Sequence, residues 1–134
     1  MIDPLNVPVV TDEEMLARFI VHRDYVRADG SVRPQLFVPY KWAELSVNRH
    51  RDASLDETWA FGIQVAESLR KKLIGRVDIQ SSDCQTPPLE VKASPISGNP
   101  NHADIVGYPP DKPDQMSLAA KLAASIQGPF ISVP

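Results

Sequence analysis

All three histidines of this chain stand two residues before an aspartate: His22-Arg23-Asp24, His50-Arg51-Asp52 and His102-Ala103-Asp104. An imidazole gives or takes a proton near neutral pH, and a carboxylate or guanidinium beside it steadies the charge that develops during a reaction. Whether such a pair converges depends on the element that carries it. Residues two apart share a face on a strand and diverge on a helix. His22 falls in a stretch that reads as helix and is assigned to the surface or an interface. His102 and Asp104 fall in a stretch that reads as a short strand, where they can converge.

The strand readings assemble a larger group. Leu45-Ser46-Val47-Asn48-Arg49 alternates with period two, turning Ser46, Asn48 and then His50 away from the apolar side. Val77 and Ile79 share a face with Gly75, which leaves Arg76 and Asp78 opposite. If the polar sides of these strands adjoin, they gather Ser46, Asn48, Arg49 or His50, Arg76, Asp78, His102 and Asp104. Two imidazoles near guanidiniums are what cleavage or transfer at a phosphate requires: one base, one acid and a cation. The candidate catalytic residues are therefore Arg49, His50, Arg76 and His102. A metal variant would take His50, His102 and Asp104, a set suited to iron or zinc, but the spacing matches no recognised ligand motif and no metal site is assigned. The competing account makes all of these ordinary solvated strand residues, with His102 anchoring a loop through backbone hydrogen bonds.

The elements that must position them follow from periodicity and punctuation. Residues 1–10, with Pro4 and Pro8, read as an extended arm. Thr11-Asp12-Glu13-Glu14 has the form of a capping box, and Met15, Leu16, Phe19, Ile20 and Val26 recur at helical spacing, so a helix is expected there, ending at Asp29-Gly30. Ser54-Leu55-Asp56-Glu57 repeats the capping form and opens a second helix with Leu55, Trp59, Ile63, Ala66 and Leu69 as its buried stripe, closed by Arg70-Lys71-Lys72. Strands are expected around Val77–Ile79, Leu89–Ala93 and His102–Val106. A last helix starts at Asp111 or Pro113 and stops at Gly128-Pro129. The expectation is one α+β domain over residues 11–128, with three main helices on a small mixed or antiparallel sheet of three to five strands. An apolar tail follows at 129–134.

Composition bounds the function. The chain has 134 residues, enough for one core, and its thirteen prolines predict long ordered loops. A net charge of −3 argues against a broad nucleic-acid surface. Cys84 is the only cysteine, which excludes an intrachain disulfide and a thiolate zinc site; with Asp83 beside it, it reads as an inert thiol. The six glycines form no phosphate-cradling loop, and there is no nucleophile elbow, so no cofactor is expected and a conventional ATPase, dinucleotide enzyme or serine hydrolase is disfavoured. The N-terminal residues lack the pattern of a signal peptide and no apolar run reaches membrane-spanning length, so the expected setting is the cytoplasm. Tyr40 and Trp42, in a proline-punctuated aromatic segment, and the tail after Gly128 are interface-forming residue types, pointing to another protein or a second copy as partner.

Two stretches carry a resemblance: Leu45-Ser46-Val47-Asn48-Arg49 and Asn99-Pro100-Asn101-His102-Ala103-Asp104-Ile105. In that order they resemble small bacterial proteins that share an LSVxR segment, a central helix and an NPxHAxI segment. The similarity spans roughly residues 30–126. It implies a bacterial origin and matches Ser46, Arg49, Asn99 and His102 to recurring positions, and no activity comes with it. Ser46, Asn99, Asp104, Tyr40 and Trp42 are the candidate binding residues. The expected function is a cytoplasmic bacterial accessory or protein-interaction module. The alternative is a small phosphate-directed enzyme, a nuclease or nucleotide transferase, working through the Arg/His group.

Overall fold

In the computed structural model, which describes residues 7–39 and 44–132, the segment expected to be the first helix is a strand. The Thr11 amide donates to the Glu14 carboxylate at 2.8 Å, as a capping box would have it, but the chain closes a single turn and then extends as β1, Met15–Ile20. Leu16 and Ile20 face one side of the sheet while Ala17 and Phe19 face the other, and all four are buried. A strand covered on both faces shows an apolar run whose spacing also satisfies a helix; burial between two neighbouring strands decides the matter.

Five further strands complete the sheet: β2, Leu45–Arg49; β3, Gly75–Gln80; β4, Glu90–Ala93; β5, His102–Val106; and β6, Gln127–Ile131. The six run in the order β4-β5-β2-β1-β3-β6, and every neighbouring pair is antiparallel. The helices are α1, Leu55–Ser68; α2, a single turn at Ser81–Cys84; and α3, Lys112–Ala123. The expectation of three main helices on three to five strands is thus corrected: six strands, and two helices longer than one turn among the described residues. The apolar segment from residue 129 starts within β6, paired to β3.

One sheet face carries the main core, where Leu16, Ile20, Val47, Val77, Ile79 and Ile105 pack with Ala119 and Leu122 of α3 and with Leu36 and Phe37 of a 3-10 turn at Pro34–Phe37. The opposite face is covered in part by α1, over Ala17 and Phe19. Ser54 caps α1 as expected, its hydroxyl accepting from the Glu57 amide at 3.1 Å while Glu57 accepts from the Ser54 amide at 3.1 Å. The buried stripe differs from the expected one. It is Thr58, Gly62 and Ala66, whereas Leu55, Ile63 and Leu69 are 60, 49 and 55% exposed. Close approach explains the shift: a Cβ at Gly62 would lie 2.7 Å from the Phe19 ring, so the helix rests on its small residues. Cys84 is fully buried, and desolvation pushes its thiol up to about 12, followed in effect by the charge of Asp83. Among the described residues, no helix is long and apolar enough to cross a membrane.

Candidate functional site

The register places Asn48 opposite both Ala17 and His102, Ser46 opposite Asp104, and Asp78 opposite Ala17. Cross-strand partners share a face, so Ser46, Asn48, His50, Arg76, Asp78, His102 and Asp104 all emerge on the side where α1 sits. Helix α1 covers only part of that face, and the two later histidines engage different partners on it.

His50 belongs to a covered network. Its Nε2 lies 2.8 Å from Asp78 Oδ1, and because a carboxylate only accepts, Nε2–H is the donor. Its Nδ1 lies 3.4 Å from the Thr58 hydroxyl of α1. Arg76 donates to the same carboxylate at 3.1 and 3.3 Å, and its guanidinium sits 4.6 Å from the Trp59 ring and 4.8 Å from the Phe130 ring. Burial raises the Asp78 pKa, but the hydrogen bonds and charges of His50 and Arg76 outweigh it and hold the carboxyl below its ordinary value. A hydroxyl, an imidazole and a carboxylate in a row suggest nucleophilic chemistry, yet Thr58 is completely buried and its oxygen meets no solvent. The network ties α1 and β6 to the sheet.

His102 is placed differently. The β4–β5 ladder continues one step beyond β4, with the Ser94 amide donating to the His102 carbonyl at 2.9 Å. The ring returns the contact: Nδ1 lies 2.8 Å from the Ser94 carbonyl oxygen, which only accepts, so Nδ1 carries the proton. In that tautomer the Nε2 lone pair is the free one, and the exposed Ser46 hydroxyl lies 3.2 Å from it. Hydroxyl, imidazole and orienting acceptor therefore form a second row, and this one is open.

Ser46 and His102 line a cavity of about 680 Å³. Phe19, Val21, Val65 and Leu69 give it apolar walls, and among the described residues its charged lining side chains are Arg18, Lys71 and Glu44. Arg18 is only partly covered as a residue, but desolvation of its guanidinium lowers its pKa to about 10, which still leaves it charged at neutral pH. Its Nε and Nη1 donate to the carbonyls of Leu36 and Ser46, both at 2.9 Å. Beside the dyad, Asn99 donates to Asn48 Oδ1 at 2.6 Å, and both residues are buried. Asn48 Nδ2 and Asn99 Oδ1 have no hydrogen-bond partner, so the amide pair keeps one donor and one acceptor unspent.

The remaining sequence-derived candidates scatter. Arg49 lies on the main-core face, 1% exposed, with both Glu14 carboxylate oxygens at 2.7 and 2.8 Å and the carbonyls of Pro8 and Val9 at 2.8 and 3.4 Å. It is separated by the sheet from His50, His102 and Arg76, because an odd position on β2 faces opposite to the even ones. Asp104 sits on the α1 side between Ser46 and Lys92. Tyr40 and Trp42 lie outside the described residues. His22, which was expected on a helix, instead precedes a 3-10 turn at Arg23–Tyr25, stacks edge-on with Tyr25 at 5.0 Å and lines the cavity. Among the described residues, no three His, Cys, Asp or Glu side chains gather as a metal site, so His50, His102 and Asp104 do not form one. Sequence reasoning missed Ser94, whose contribution is a backbone carbonyl and has no residue-type signature, and Arg18 and Lys71, the latter read as part of the basic close of the second helix. No family model, curated protein or solved structure matches the chain.

Proposed function

We propose that the protein is a cytoplasmic accessory module that binds a small monocarboxylate with an apolar chain in the cavity beside β2 and β5. The observation that carries this reading is the composition of the cavity among the described residues: apolar walls, a polar cluster at Ser46 and His102, and the cations Arg18 and Lys71 alongside Glu44, in a chain whose net charge is −3. Concave apolar space with a few convergent polar groups is the usual form of a small-molecule site, and the Arg18 and Lys71 cations favour an anionic head. The alternative of a phosphate-directed enzyme finds less support, since the guanidiniums of Arg49 and Arg76 are already engaged by Glu14 and Asp78. The buried, unpaired Cys84 is compatible with a reducing setting.

The test is titration of the ¹⁵N-labelled protein with octanoate, followed by amide chemical shifts. Shifts centred on Ser46, Val65, Leu69 and His102, saturating with ligand, are expected. Lys71→Glu should weaken binding several-fold and Ser46→Trp, which fills the cavity, should abolish it. Absence of saturable shifts, or shifts unaffected by Ser46→Trp, would overturn the reading.

A further inference from the structure

We infer that Ser46 is a nucleophile activated by His102, and that the cavity takes apolar acyl esters and releases the carboxylic acid. This rests on the ligand reading above and deepens it, because a monocarboxylate is what such a reaction leaves behind. Three observations converge. The Ser46 hydroxyl is exposed on a rigid strand rather than a loop, 3.2 Å from His102 Nε2. The Ser94 carbonyl fixes the ring as the Nδ1–H tautomer, which is the tautomer that leaves Nε2 free to accept the serine proton. The Ser94 carbonyl is itself held in place by the β4–β5 ladder through the Ser94 amide. The Thr58–His50–Asp78 row differs in having a carboxylate as its third member and a fully buried hydroxyl, whereas the Ser46 hydroxyl is exposed.

The step balances without a co-reactant other than water. Ser46 Oγ attacks the ester carbonyl carbon as its proton passes to His102 Nε2. The C–O bond to the leaving alcohol breaks and that alcohol takes the proton back from the imidazolium, leaving an acyl serine. Water, deprotonated by the same Nε2, then cleaves the acyl bond, releasing the acid and restoring the Ser46 hydroxyl.

The experiment is labelling with an alkyl fluorophosphonate, in which Ser46 Oγ displaces fluoride from phosphorus, read by peptide mass spectrometry, alongside hydrolysis of p-nitrophenyl octanoate. One phosphonate on the Ser46 peptide is expected, blocked by octanoate and absent in Ser46→Ala. Since removing a positioned general base costs on the order of 100-fold or more, His102→Ala should lose at least that factor in ester turnover and recover part of it with added imidazole. Octanoate binding without labelling of Ser46 overturns the nucleophile and leaves the ligand reading standing; absence of both overturns both. Equal labelling of folded His102→Ala and the unaltered protein would also overturn the role of the imidazole.

Discussion

Replacing Arg49 with methionine should be severe for stability and silent for the cavity. The guanidinium is 1% exposed and makes four contacts, two with the Glu14 carboxylate and two with the carbonyls of Pro8 and Val9. These act as one unit, so their individual strengths are not additive. Methionine keeps much of the apolar stem but strands a carboxylate and two carbonyls. Breaking a buried ion pair costs about 3–5 kcal/mol, and because the Glu14 side chain retains 15% exposure the lower end applies, about 3 kcal/mol. A domain of this kind has roughly 5–15 kcal/mol in total, and each kcal/mol moves the midpoint by roughly 3–4 °C at this length, so a fall on the order of 10 °C follows. Thermal and urea melts followed by circular dichroism would measure it. The pH response should change sign as well. In the unaltered protein, burial raises the Glu14 pKa but the Arg49 contacts and the Thr11 amide outweigh it. The folded pKa therefore lies below the unfolded one, and this contribution to stability is present above the ordinary Glu range and lost as pH falls. In Arg49→Met the burial of the Glu14 carboxylate loses its main opponent, so acidification should relieve the strain rather than add to it. Glu14→Gln in the Arg49→Met background should then recover part of the loss. Octanoate binding by the folded variant should be unchanged, because the sheet lies between Arg49 and the cavity. A midpoint within a degree or two of the unaltered protein, or loss of binding with the fold intact, would refute this reasoning.

Other outcomes follow from the same geometry. Gly62→Ala should destabilise despite alanine's better helix propensity, by about 1–3 kcal/mol for overpacking against Phe19, read as a lower urea midpoint. Asp78→Asn should flatten the acid limb of stability: the folded Asp78 pKa is lowered, so its contribution holds above the ordinary Asp value and is lost as pH falls through the folded one, as urea melts at several acidic pH values would show. Cys84, buried and with its thiol pushed up to about 12, should resist Ellman's reagent at neutral pH until denaturant is added, and rapid native labelling would contradict its burial.

How much was legible beforehand depends on how many structures each residue pattern admits. Ser54 to Glu57 was legible as a helix start because the capping contacts are local and the residues that follow continue as a helix. The same logic failed at Thr11: the turn forms locally, but Met15–Ile20 is apolar on both sides and serves equally as a helix stripe or a doubly covered strand. Stripe rotation in α1 was illegible too, since Leu55 and Ile63 outrank Gly62 in hydrophobicity and only the Phe19 ring makes the small residue the better contact.

For the candidate site, strand parity was contained in the residues themselves: alternation on β2, β3 and β5 dictates that Ser46, His50, Arg76, Asp78, His102 and Asp104 share a side once those strands join one sheet. Tertiary structure alone decided that α1 would lay the buried Thr58 against His50 and leave Ser46 open, and that the third member beside His102 would be the Ser94 carbonyl. Alternation is a property of consecutive residues, whereas coverage and backbone partners arise from elements distant in the chain, which no local pattern records.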